Sequence, residues 1–196
     1  MKLYSYVIRS DSGFAPNPFY GFCTLATCKP VIRKTCKAGD WIIGTGSVEE
    51  GRPGKLVYAM KVDEVIPLEI YGSNEKFTKK IPVIDGTPEQ RCGDNIYFID
   101  KKGKWIQRPG RHQKEHIKRD LKGKNALIAR EFYYFGKDNE VEFPEEFNIF
   151  INKTQGHKCN FPREPVEKFI TWIRDNFKPG RHGFPLRFSR KKGKCC

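Results

Sequence analysis

Several things are missing from this sequence, and each absence removes a class of protein. Its 196 residues contain no run of the roughly eighteen uncharged apolar residues that a membrane-spanning helix needs. The opening Met1-Lys2-Leu3-Tyr4-Ser5-Tyr6 lacks the apolar core of a signal peptide. Together these set the expectation of a cytoplasmic protein with no membrane partner. The seven cysteines form no Cys-x-x-Cys pair and no regular framework, so free thiols in a reducing compartment are expected, with no metal. No phosphate-binding loop occurs either: Gly44-Thr45-Gly46-Ser47 lacks the lysine that such a loop places on the phosphates. P-loop nucleotide hydrolysis is excluded, and no cofactor is expected. Acidic charge is also short. The 23 Asp and Glu face 37 Lys and Arg, a formal net charge of +14.

That excess favours polyanionic partners, and nucleic acid or a nucleotide heads the list. The cations are clustered. Lys101, Lys102, Lys104, Arg108, Arg111, Lys114, Lys118, Arg119, Lys122 and Lys124 are opposed within their segment only by Glu115 and Asp120. Arg187, Arg190, Lys191, Lys192 and Lys194 form a second cluster ahead of Cys195-Cys196, read as a flexible basic tail over 187–196 following a single domain over 1–186.

Hydrophobic patterning predicts mostly strands. Leu3 to Arg9 is apolar on both faces, as in a buried strand, and Ala15-Pro16-Asn17-Pro18 makes the next segment a rigid loop. Thr24 to Cys36 reads as a short helix interrupted or started at Pro30. The turn Gly39-Asp40 leads into a strand from Trp41 that ends at Gly44 and Gly46, and Lys55 to Val65 reads as its successor. Asn95 to Ile99 and Lys104 to Ile106 flank a hairpin with a basic tip, and Asn125 to Gly136 is a strand pair or one bent strand. The clearest helix runs from Glu164 to Phe177, with Val166, Phe169, Ile170 and Ile173 at helical spacing. The expected class is α+β, with a curved mixed sheet or a PUA-like β-barrel and a few flanking helices.

Chemistry-bearing residues fall into two groups. For catalysis, Asp11, Cys23, Asp94 and His112 are the candidates: carboxylates and imidazole for proton transfer, and a thiol as nucleophile. Cys23 and Cys28 flank the start of the predicted helix beside Lys29 and Arg33, so either could be that thiol. His112-Gln113-Lys114-Glu115-His116 matches the inverted zinc-peptidase pattern, but the surrounding cations oppose a bound dication. For nucleotide binding, Phe14, Phe19, Trp41 and Trp105 offer stacking faces, and Asn17, Asn95 and Gln107 offer paired donors and acceptors. Lys29, Arg33, Arg108, Arg111 and His112 offer phosphate contacts.

Three stretches carry a family resemblance: Gly13-Phe14-Ala15-Pro16-Asn17-Pro18-Phe19, Cys23-Thr24-Leu25-Ala26 with Cys28-Lys29-Pro30-Val31-Ile32-Arg33, and Gly39-Asp40-Trp41-Ile42-Ile43-Gly44-Thr45-Gly46. Gly93-Asp94-Asn95-Ile96-Tyr97 and Phe132-Tyr133-Tyr134-Phe135-Gly136 extend it over roughly residues 1 to 145. The sequence resembles the nucleotide modification associated domain 2 family of bacteria and phages. That resemblance implies a role beside DNA base modification systems. The Gly39-Asp40-Trp41 turn is also similar to the turn of PUA-like barrels, including ASCH and EVE domains, which implies a cleft for a modified base. Two functions remain open at this point: a module that binds nucleic acid or a modified nucleotide, and an enzyme of nucleotide or DNA base modification using Asp, Cys or His side chains.

Overall fold

The computed structural model describes residues 1–188 except 138, 140, 153 and 155. In chain order the strands and helices are β1 (Leu3–Ile8), β2 (Cys23–Leu25), α1 (Pro30–Thr35), β3 (Trp41–Gly46), β4 (Leu56–Lys61), β5 (Glu64–Pro67), α2 (Leu68–Ser73), α3 (Pro88–Arg91), β6 (Tyr97–Ile99), β7 (Trp105–Gln107), α4 (Ile117–Leu121), β8 (Asn125–Ala129), β9 (Phe132–Tyr134), β10 (His157–Lys158), α5 (Arg163–Asn176) and β11 (Gly180–Arg181). Among the described residues no helix is long and apolar enough to cross a membrane.

The mixed α+β expectation holds. Six strands form one sheet in the order β10-β1-β3-β4-β9-β11, in which β1 runs parallel to β3 and β9 parallel to β11. A second sheet, β2-β8-β5, is antiparallel throughout, and β6-β7 is the predicted hairpin. The larger sheet ends in edges at β10 and β11, so the described residues close no barrel.

Strand alternation divides the core into layers. Tyr4, Tyr6 and Ile8 point to the face covered by β2, β8 and α1, where Cys23, Leu25, Ile32 and Leu127 meet them. Leu3, Trp41, Ile43 and Tyr133 point to the other face, covered by Phe147, Phe150 and the Val166, Phe169, Ile170 and Ile173 stripe of α5. Gly44 is required in β3 because a Cβ there would lie 2.4 Å from the Tyr58 ring and 2.5 Å from Ile8. The outer face of the smaller sheet packs Ala126 and Ile128 on Leu68 and Tyr71 of α2.

In three segments the structure is finer than the pattern. Lys55 to Val65 is two strands in different sheets: the chain bends after β4, the Asp63 N–H bonds to Ile128 O at 2.8 Å, and β5 joins the smaller sheet. Asn125 to Gly136 makes the same crossing in reverse, from β8 to β9. Within Thr24 to Cys36 the helix starts at Pro30, one of the two expected alternatives, and the residues before it are strand and turn. The expected tail from 189 onward, with Arg190, Lys191, Lys192, Lys194, Cys195 and Cys196, lies outside the described residues. Arg187 itself is not part of a loose tail: its Nε sits 3.0 Å from Glu50, and its N–H bonds to Asp11 O at 2.8 Å.

Candidate active site

The turn between β2 and α1 puts a thiol in an unusual backbone conformation. Cys28 has φ +53° and Lys29 φ +38°, a region that side chains with a Cβ enter at a cost of about 1–2 kcal/mol each. Pro30 at the first helical position disfavours the right-handed α conformation for the residue before it, which is part of why the turn forms here. The rest is imposed by neighbours. The Cys28 N–H donates to Asp120 Oδ1 at 3.0 Å, and Arg33 Nε donates to Cys28 O at 2.7 Å. Arg33 is fully buried and also bonds Asn125 O at 2.8 Å and the carbonyl of Asp120. Its guanidinium lies directly on Gly123, where a Cβ would come within 2.4 Å of Cζ. A strand, a tight left-handed turn carrying the nucleophile, and a helix is the device by which other folds present a nucleophilic side chain.

Beside the thiol stands an imidazole, and behind that a carboxylate. His112 Nε2 is 3.4 Å from Cys28 Sγ, and His112 Nδ1 makes a short hydrogen bond to Asp120 Oδ2. Tyr97 OH donates to the same carboxylate oxygen at 2.8 Å. Burial pushes the Asp120 carboxyl up, but bonds from His112 and Tyr97 and the nearby His112 and Arg33 charges outweigh it, holding it below the usual carboxylate range. When the ring is neutral, an ionised Asp120 accepts the Nδ1 proton and leaves the Nε2 lone pair to the thiol; when the ring is charged, the same carboxylate is its counter-ion. Gln107 Nε2 donates to the His112 backbone O at 2.7 Å, and the ring itself is held by Asp120, by the Phe14 ring edge-on at 4.8 Å and by the His116 ring stacked at 4.5 Å. Thiol, imidazole and carboxylate in a row are the arrangement a cysteine nucleophile uses.

The row lies under a cleft. Cys28 lines a cavity of about 290 Å³ together with Tyr6, the end of β1 and the Arg9-Ser10 segment that follows it, Ala15, Lys29, Pro30, Val31, Arg119 and His157. Its charged lining residues, Arg9, Lys29 and Arg119, are all cations. The Lys29 ammonium sits 4.3 Å over the Tyr6 ring.

The other predicted catalytic residues lie elsewhere. Cys23 is fully buried in the core, its thiol pushed up to about 12 by burial, so it packs as a small apolar residue. Asp11 is buried against Tyr134 OH, Arg52 at 3.3 Å and the Leu186 N–H at 3.2 Å; burial leads in raising its carboxyl. Asp94 accepts from Thr24 Oγ1 at 2.7 Å and Tyr71 OH at 2.6 Å, again with burial raising it. His112 alone of the four candidates reaches the cleft's thiol.

The expected stacking loop is interior. Phe14 and Asn17 are 0% exposed and Phe19 is 3% exposed, so no face is open to a base. Asn17 instead ties Gly13 O at 3.0 Å to Cys92 O at 2.7 Å and accepts from the buried Lys80 ammonium at 2.7 Å, a group that burial lowers to about 8. Trp41 is 1% exposed and stacks on Tyr133 at 6.4 Å. Asn95 is buried on Tyr71 O at 3.0 Å and accepts from Arg108, whose guanidinium covers the Phe98 ring at 4.2 Å. Arg33 is the buried brace described above and is closed to phosphate. Trp105, Gln107 and Arg111 are partly exposed around the hairpin and the loop beyond it, and Lys29 is in the cleft. His112 and His116 stack face to face at 4.5 Å rather than converging on one point, and no cluster of three metal-ligating side chains occurs among the described residues.

Asp120 was legible only as a counter-charge in a basic run, and its contacts with Cys28 and His112 are tertiary. A carboxylate eight residues beyond a histidine is the one sequence signal it left.

The fold and site thus define a class: an α+β protein with a Cys-His-Asp row beneath a cation-lined cleft. The chain matches the family model of nucleotide modification associated domain 2 over residues 1–192, and it belongs to that family. No curated protein and no solved structure matches it.

Proposed function

We propose that this protein is an enzyme that acts covalently on nucleotides or nucleic acid, with Cys28 as nucleophile, His112 as proton carrier and Asp120 as the group that orients His112. The carrying observation is Cys28 Sγ at 3.4 Å from His112 Nε2, with Asp120 on the far ring nitrogen, at the base of a cleft lined by cations. Membership of a family associated with nucleotide modification supports the substrate class. In the forward step the Cys28 thiol proton passes to His112 Nε2 while the sulfur bonds to an electrophilic carbon. The electron pair displaced from that carbon takes the proton from His112. Asp120 stabilises the transient imidazolium, and a second nucleophile later releases the thiol, so no redox partner is involved.

Alkylation of the intact chain by iodoacetamide, resolved by peptide mass spectrometry, tests the nucleophile without knowledge of the substrate. Cys28 is expected to react fastest among Cys23, Cys28, Cys36 and Cys92, and to slow by about tenfold or more in His112→Asn. A Cys28 rate indifferent to that substitution overturns the reading.

A second reading is a nucleic-acid-binding module, in which a PUA-like use of the curved sheet presents a base. It is supported by the exposed Lys101, Lys102, Lys104, Lys114, Lys118 and Lys122. Binding of that kind falls with salt by a log-log slope of about −0.9 per phosphate neutralised on duplex DNA, and leaves the alkylation rate of Cys28 unchanged.

A further inference from the structure

Resting on the reading of Cys28 as nucleophile, we infer that the cleft takes one nucleotide at a time, with its phosphate held by Arg9, Lys29 and Arg119. Three observations converge. The cavity of about 290 Å³ lies at the small end of ligand-binding pockets and has room for a single nucleotide but not for a duplex. Among the described residues its charged lining is cationic with no carboxylate, since Asp120, adjacent to Arg119, is fully buried beneath and committed to Cys28 and His112.

The third observation concerns where affinity can come from. Among the described lining residues the aromatic rings are Tyr6, which is 1% exposed and carries the Lys29 ammonium over its face, and His157, whose ring packs on Tyr4 at 5.9 Å. The Tyr6 face is therefore closed to a base, and the half-buried His157 ring is what remains for stacking beside the three cations. Lys29 is held over Tyr6 and within 3.5 Å of Val7 O, and the Arg119 side chain, 43% exposed, stands at the mouth with its Nε 3.9 Å from Asp120 Oδ1. Cations fixed above a thiol-imidazole pair bind an anion and orient what is attached to it. Ala15, Pro30 and Val31, the last 55% exposed, leave an apolar shelf for the sugar and base.

The test is titration calorimetry on the full chain carrying Cys28→Ser, which stops chemistry and keeps the cleft. The probes are the four deoxynucleoside 5′-monophosphates, the same deoxynucleosides without phosphate, and short single-stranded oligonucleotides. The monophosphates, or one nucleotide of the single strands, are expected to bind about tenfold or more tighter than the nucleosides. Arg119→Ser and Lys29→Gly each remove most of that advantage and leave nucleoside binding as it was. In the wild-type chain the same ligands slow iodoacetamide at Cys28. If only the oligonucleotides protect Cys28, the phosphate belongs to a nucleic-acid strand. If mononucleotides protect it, the substrate is free. Equal affinity with and without phosphate, no binding by any probe, or binding unaffected by both substitutions overturns the inference. Failure of the nucleophile reading is separate, because it shows as a Cys28 alkylation rate, measured without ligand, that ignores His112→Asn.

Discussion

Asp120 holds Cys28 and His112 at once. One carboxylate oxygen accepts the Cys28 backbone N–H at 3.0 Å, and the other accepts the His112 Nδ1 proton, so a single side chain sets both the turn that presents the thiol and the ring that faces it. Geometry and proton affinity are coupled here.

Asp120→Asn keeps the shape and removes the charge. Stability is expected to fall by about 1–3 kcal/mol and the Cys28 alkylation rate by about tenfold or more. The pH dependence has a definite sign. The folded carboxyl is held below its unfolded value, so its contribution is fully present above about pH 4 and is lost as pH falls through the lower folded value. Acid unfolding followed by circular dichroism should be shallower in the variant over that window. An unchanged acid limb would show that Asp120 is not the group concerned.

Gly123→Ala probes the brace beneath the turn. The new Cβ would meet Arg33 Cζ at 2.4 Å, and Arg33 has no free direction to retreat because it bonds Cys28 O, Asn125 O and Asp120 O. A cost of about 1–3 kcal/mol and a Tm lower by roughly 3–10 °C are expected by scanning calorimetry.

Lys29 sits at φ +38°, where glycine is at ease and alanine is not. Lys29→Gly and Lys29→Ala both delete the ammonium over Tyr6, so their difference isolates the backbone. Urea denaturation should find the glycine variant more stable than the alanine variant by about 1 kcal/mol. Equal stabilities would mean the left-handed turn is not retained.

The buried thiols predict an alkaline limit. Cys23 and Cys36 are each pushed up to about 12, chiefly by burial. A folded value above the unfolded one contributes stability below about pH 8.5 that is lost as pH rises towards 12. Tm is expected to drop over that interval, and less steeply in Cys23→Ala/Cys36→Ala, measured relative to each protein's own value at pH 8.

Where periodicity was strong, the fold was legible. The stripe of α5, the strand from Trp41 and the hairpin around Asp100-Lys101-Lys102-Gly103 all stand where the pattern placed them. The bends after Lys61 and after Ala129 left no local mark, because what bends the chain is partnership with two different sheets. The aromatic loop misled for a related reason. Composition cannot distinguish an aromatic that stacks on a ligand from one that fills the core, and the buried Lys80 beneath Asn17 makes that loop's polar groups into internal ties. At the site, His112 and the Cys28 turn were visible as residue types. Their pairing was not, because 84 residues separate them in the chain.

Asp11 gathers the two ends of the described chain. It accepts from Arg52 and from the Leu186 N–H, and its own carbonyl receives the Arg187 N–H, while Glu50 binds both arginines. Tyr134 in β9 and Arg52 between β3 and β4 reach the Asp11 carboxylate, and residues 186 and 187 complete its shell from the far end of the described chain. The same end supplies β11 to the outer edge of β9. Removing residues from 180 onward therefore strips one edge strand from the sheet and three donors from a buried acidic pair, while the pairing of β1, β3, β4 and β9 stays whole.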